Sequence, residues 1–359
     1  MKKIKIIIFS LTYFLIVILS AGCQSKNISP TPTVSHIGYN IYNLGAITAG
    51  PDGNLWFTEF TKNKIDKISP ITGDTTQYSI STANAGPSGI TAGPDGNMWF
   101  AEGVGKIGKI SPKDGKITEY PVSIDYGIPH SITTGSDGNL WFTETNGQYA
   151  YICKISPATG NVTEYLVPTV SGGTDSIISG PDGNLWFTQA AGHQIGKISP
   201  VTGDIMEYTM LKAGADSERI TSGPDGNLWF TDLNGIENVS PQTGVVTGYP
   251  LPVGISKPSG IVAGPDGNIW FTVGNQIDKI SPITGIITQY SISTANAGPY
   301  GITSGPDGNL WFTELFTNKI GKISPTDGKI TEYSIPSEHV NPNSITIGPD
   351  GNMWFTESQ

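Results

Sequence analysis

Gly305-Pro306-Asp307-Gly308-Asn309-Leu310-Trp311-Phe312-Thr313-Glu314 is one of eight copies of the same phrase, found at residues 51–59, 94–102, 136–144, 181–189, 224–232, 265–273, 306–314 and 349–357. The chain's eight tryptophans all sit in it: Trp56, Trp99, Trp141, Trp186, Trp229, Trp270, Trp311 and Trp354, spaced 43, 42, 45, 43, 41, 41 and 43 residues apart. A period in the low forties is the mark of a repeat architecture. Each phrase places an Asp-Gly turn before an alternating apolar run, a strong hairpin signal.

Residues 88–125 show what one repeat contains. Gly89–Ala92 is a short apolar run, and Asn97–Glu102 alternates as a second strand. Lys106–Ile110 is a third, stopped by Ser111-Pro112, and Lys116–Tyr120 follows the Asp114-Gly115 turn as a fourth. Four short antiparallel strands per repeat describe the blade of a β-propeller. The expected fold is therefore all-β, a single propeller of four-stranded antiparallel blades. Seven copies of strands three and four accompany eight copies of strands one and two. The 336 residues after Cys23 divide into eight units of 42, which favours eight blades over the alternative of seven. The missing pair is sought at the other terminus, in Lys26–Pro30 and Ile37–Ile41, so that strands from both ends close the ring and leave no free edge.

The N-terminus has a different chemistry. Met1-Lys2-Lys3-Ile4-Lys5 precedes an apolar run from Ile6 to Leu19, the pattern of an export signal over residues 1–22. Its ending, Leu19-Ser20-Ala21-Gly22-Cys23, resembles the bacterial lipobox. That resemblance implies lipidation at Cys23, with the propeller of residues 23–359 tethered to the outer face of a cell membrane or an outer membrane. Cys153, the other cysteine, stands where Gly108, Gly196 and Gly321 recur and reads as a structural thiol. A formal charge of −10, with 20 basic residues thinly spread, argues against a nucleic-acid partner. A monomer is expected.

Function is sought where the copies disagree. Residues 66–97 and 278–309 differ at only four of 32 positions, so most positions serve the scaffold. The slot before the first strand holds Leu44, Ser88, His130, Asp175, Glu218, Ser259, Tyr300 and Asn343 in turn. The second strand closes on Glu59, Glu102, Glu144, Gln189, Asp232, Val273, Glu314 and Glu357, read as a solvated rim. His130, Asp175 and Glu218 fall on three consecutive blades, together with His193 and the longest loop, which carries Tyr149. These residues and Tyr300 are the candidate ligand-binding set for a small peptide, a cyclic depsipeptide or a saccharide. His130, beside a carboxylate, has the chemistry of a general base.

The phrases Pro129-His130-Ser131-Ile132-Thr133, Gly298-Pro299-Tyr300-Gly301-Ile302-Thr303, Leu-Trp-Phe-Thr-Glu and Asn-Lys-Ile-Gly-Lys-Ile resemble the virginiamycin B lyase (streptogramin B lyase) family. The resemblance implies a seven-bladed propeller that opens a cyclic depsipeptide by elimination. A histidine base and a Mg²⁺ ion held near glutamate would do the chemistry. It matches His130 to the family's base and Tyr300 to its active-site tyrosine, and it makes Glu144 and Asp175 the candidate metal ligands. The sequence also departs from the family. Ser88 and Asp175 flank His130, Ser259 and Asn343 flank Tyr300, Ile128 replaces the acid expected two positions before the base, and Thr145 stands in place of a further glutamate. Four blade intervals separate His130 from Tyr300, which puts them opposite each other. Two readings follow: a tethered binding propeller, and a Mg²⁺-dependent lyase for a cyclic depsipeptide or lactone.

Overall fold

The computed structural model describes residues 34–38, 44–123, 127–170, 173–189, 192–211, 219–233, 235–252, 257–336 and 341–358. Its strands form eight separate sheets in chain order, seven of them four-stranded and antiparallel. Sheet 2 is representative, with strands Pro87–Ala92, Met98–Glu102, Lys106–Ile110 and Ile117–Pro121. These lie within about two residues of the sequence expectation, as hydrogen-bond assignments allow. Among the described residues, no helix is long and apolar enough to cross a membrane.

Each copy of the phrase is one linked unit. In sheet 7, Gly308 has φ near 72° and turns the hairpin. The Asp307 carboxylate accepts the Trp311 indole N–H at 3.0 Å and the Asn309 backbone N–H at 3.2 Å. Lys322 lies 5.2 Å from the Trp311 ring centre, and Tyr333 stacks on the indole at 5.6 Å. Burial pushes the Asp307 carboxyl up, but the bonds from Trp311 and Asn309 and the charge of Lys322 outweigh it and hold it below the ordinary range. Gly305 must be glycine, because a Cβ there would sit 2.4 Å from Trp311.

The two faces of the second strand pack in opposite directions. Trp56 and Ile65 of sheet 1 meet Ile90, Met98, Phe100 and Ile110 of sheet 2 in one buried cluster, and the same pattern recurs from sheet to sheet. Leu55, Phe57 and Ile68 of sheet 1 pack on Trp354 of sheet 8. Side-chain burial, not a shared strand ladder, joins neighbouring sheets.

The expected closure and blade make-up require correction. Among the described residues every sheet is open and none closes on itself, against the expected ring closed by strands from both termini. The eighth sheet contains three described strands: Asn341–Ile347, Met353–Ser358 and Val34–Gly38. The last runs parallel to Met353–Ser358, with Val34 opposite Met353 and Gly38 opposite Glu357. A hairpin turn would force the antiparallel sense, but a segment arriving from the far end of the chain is under no such constraint. Ile37 and Gly38, expected in a fourth strand, therefore lie beside the second, and residues 26–30 fall outside the described residues.

The first strands share a β-bulge. In sheet 3, Pro129 faces Glu144 and Ile132 faces Phe142, so one extra residue is accommodated between them. The same irregularity recurs after Leu44, Pro87, Thr174, Pro258, Pro299 and Pro342. Leu44 faces Glu59 as Pro87 faces Glu102, so Gly45, not Leu44, holds the equivalent slot in sheet 1.

Replacing Asp307 by alanine would strand the buried indole N–H of Trp311. We expect a loss of about 1–3 kcal/mol of stability, read from the shift in the chemical denaturation midpoint.

Candidate functional site

A bulge places a residue outside the ladder, where its side chain is free to vary, and so aims it away from the sheet. The bulged positions are the divergent slots: Ser88, His130, Asp175, Ser259, Tyr300 and Asn343. Their backbones are tied by the buried threonine of the Trp-Phe-Thr sequence. Thr313 Oγ1 receives the Gly301 N–H of its own sheet at 2.9 Å and donates to the Asn343 carbonyl of the next sheet at 2.8 Å. Thr272 does the same for Gly260 and the Tyr300 carbonyl, at 2.8 and 2.9 Å.

Sheet 2 has Ala101 where this threonine belongs, so the next slot, His130, loses that donor. Ser88 replaces it, its Oγ donating to the His130 carbonyl at 2.9 Å. The imidazole itself is exposed, and Nδ1 lies 3.3 Å from the Asp175 backbone carbonyl. A carbonyl can only accept, so in this contact Nδ1 carries the hydrogen and Nε2 of the neutral ring keeps its lone pair. Asp175 thus orients His130 through its backbone.

Several candidates lie elsewhere. Glu144 is buried opposite Pro129; its Oε2 accepts the Cys153 thiol at 3.2 Å. His193 has φ near 52° and occupies the left-handed turn position held by Asn63 and Asn318. Its carbonyl receives the Met210 N–H at 3.1 Å, a turn role. Tyr149 is half-buried in its loop, within 3.2 Å of the Gln148 amide. Glu218 and Cys23 fall outside the described residues. Among the described residues, no group of three or more His, Cys, Asp and Glu side chains is arranged to hold a metal ion. Glu144 is bonded to the Cys153 thiol and Asp175 meets His130 through its backbone, so these two do not come together as a ligand set for the Mg²⁺ of the resemblance.

The glutamates closing the second strands are not a solvated rim. Glu59, Glu102, Glu144, Glu314 and Glu357 are all essentially inaccessible. Burial, with the neighbouring Glu119 adding to it, pushes Glu102 up to about 8. Glu119 keeps its charge instead, bonded by Ser81 and paired with Lys106 at 3.5 Å. Burial also raises Glu144 and Glu314 to about 7 and Glu357 to about 8. Sequence reading missed a second feature, Arg219. Its guanidinium carbon lies 5.6 Å from the centre of the Tyr300 ring. It is the only arginine in the chain, and that singularity was the available signal.

The profile of the virginiamycin B lyase family matches residues 32–173 and 145–359. The chain belongs to the virginiamycin B lyase family. A streptogramin B lyase structure shares 38% identity over 77% of this chain and 92% of its own, with a TM-score of 0.63. Virginiamycin B lyase from Staphylococcus aureus shares 32% over 88% and 91%, at a TM-score of 0.61. A catalytically inactive histidine-to-alanine form of that enzyme with Quinupristin shares 31% over 89% and 94%, at 0.62. No curated protein sequence matches the chain. Family membership favours the lyase reading over a propeller that only binds.

The raised glutamates give the stability a definite pH dependence. Their folded values exceed the ordinary 4.5, so the folded state holds more protons than the unfolded state between about pH 4.5 and 8. The contribution of these glutamates to stability should be fully present below about pH 4.5 and be lost as pH rises through 8. Glu102→Gln cannot ionise, so its melting temperature should exceed that of the wild type at pH 8.5 by more than at pH 5.

Proposed function

We propose that the protein is a lyase that opens a cyclic depsipeptide or lactone ester by elimination, with His130 as the base. The observation that carries this reading is the His130 contact with the Asp175 carbonyl, which leaves Nε2 as the proton acceptor on an exposed ring. In the reaction, Nε2 takes a proton from the carbon adjacent to the one bearing the ester oxygen. The C–H electron pair forms the new C=C bond, the C–O bond breaks, and the oxygen leaves with its electron pair as a carboxylate. The ring opens with no change in mass. Asp175 orients the base through its carbonyl, and Ser88 fixes the bulge that presents it. Tyr300, half-buried on the bulge of sheet 7, offers an aromatic contact to the ligand.

Quinupristin, the compound held by the histidine-to-alanine relative, is the first substrate to try. Chromatography coupled to mass spectrometry should show a ring-opened isomer of unchanged mass, whereas hydrolysis would add one water. His130→Ala should lower turnover about 10²–10⁴-fold, and Ser88→Ala should lower it less. Tight binding of quinupristin without turnover in the wild type would leave a peptide- or saccharide-binding propeller as the better description.

The leader sequence supports export, and Leu19–Cys23 supports attachment through a lipid at Cys23 on the outer face of a bacterial membrane. Wild-type protein should sediment with membranes, and Cys23→Ser should not; equal sedimentation of the two would refute the anchor.

A further inference from the structure

Arg219 occupies the position immediately before the first-strand isoleucine, where the other repeats carry Ala46, Gly89, Ser131, Ser176, Gly260, Gly301 and Ser344. Small residues belong there. A Cβ at Gly260 would lie 2.4 Å from the Tyr300 carbonyl oxygen, and one at Gly301 would lie 2.5 Å from that of Asn343. In sheet 5 the described part of the first strand is Ile220–Ser222, directly after Arg219. The backbone is nevertheless anchored as elsewhere, with the Arg219 N–H donating to Thr231 Oγ1 at 3.4 Å and its carbonyl receiving the Thr231 N–H at 3.1 Å.

The side chain is exposed and reaches beyond sheet 6, whose bulge carries only Ser259 and Gly260, to Tyr300 on sheet 7. The first strands therefore converge closely enough for one side chain to cross from the fifth sheet to the seventh. The contact with the ring engages the cation through its charge and uses none of its five N–H donors. Tyr300 thus holds a planar, permanently charged fork in place while leaving its hydrogen bonds available.

We propose that Arg219, positioned by Tyr300, is a carboxylate-binding residue of the site at the bulges. This rests on the elimination reading above and names the group that receives its product. Breaking the C–O bond converts a neutral ester into a carboxylate, so negative charge appears only as the reaction proceeds. A fixed guanidinium matches two carboxylate oxygens and is engaged most strongly at that stage, where it favours the transition state over bound substrate. A lysine would bring the charge without the fork.

The test has two arms, both on the full-length protein. In the first, quinupristin opening is followed in wild type, Arg219→Ala and Arg219→Lys. We expect kcat/KM to fall about 10²-fold in Arg219→Ala, the loss typical of one removed oxyanion donor, with partial recovery in Arg219→Lys. Added guanidinium should restore Arg219→Ala at concentrations that leave the wild type unchanged. In the second, benzoate binding is measured by ligand-observed NMR. It should saturate in wild type and in His130→Ala, and weaken at least about tenfold in Arg219→Ala at an unchanged melting temperature. Benzoate that fails to bind the wild type, or binds Arg219→Ala equally, overturns the carboxylate site. Arg219-dependent benzoate binding without any opening of quinupristin upholds the site and removes the elimination reading.

Discussion

A buried indole N–H must find an acceptor, and this chain buries eight of them. In every copy of the phrase the acceptor is the aspartate four residues before the tryptophan, at 2.9–3.1 Å. That one requirement fixes most of its neighbours. The aspartate reaches back only because the following glycine turns the chain at positive φ. The glycine two residues before the aspartate must lack a Cβ because the ring lies against it. Once satisfied, the indole is free to act as an apolar slab packing on the next sheet, and in the seven four-stranded sheets it stacks on a tyrosine of its own. The repetition in the sequence is this one hydrogen bond solved eight times.

That is why so much of the fold was legible. Turn chemistry and alternation are local, and they located the four strands of sheet 2 to within about two residues. What was misread depends on distant segments. The sense of Val34–Gly38 is set by where a remote piece of chain arrives, and nothing in its own residues says that it will run parallel to Met353–Ser358. The glutamates closing the second strands look like rim residues because they precede a turn. They are buried all the same, and the Glu119 that raises Glu102 is itself bonded by Ser81, 38 residues away on the preceding sheet.

At the site the same division holds. His130 stood out as a break in the repeat, and the bulge explains why the repeat can break there: the extra residue is outside the ladder, so its side chain changes without disturbing an indole. The ring's orientation was not legible, because it depends on a backbone carbonyl 45 residues away. Nor was the exchange by which Ser88 supplies the donor that Ala101 lacks, since the two changes lie on different strands. Arg219 was visible in the composition but sits one place past the slot being compared.

The buried glutamates alter the charge that the bulges present. Glu102, Glu144, Glu314 and Glu357 lie opposite the prolines that open the bulges, Pro87, Pro129, Pro299 and Pro342. A formal charge of −10 counts all four as ionised. Held to about 7 or 8 by burial, they retain protons well above the ordinary carboxylate range. The field at these four bulges is then less negative than the composition states. A protein this acidic would otherwise repel an anionic ligand. Buried opposite the prolines of the bulges, these acids reduce that repulsion with residues the scaffold already repeats.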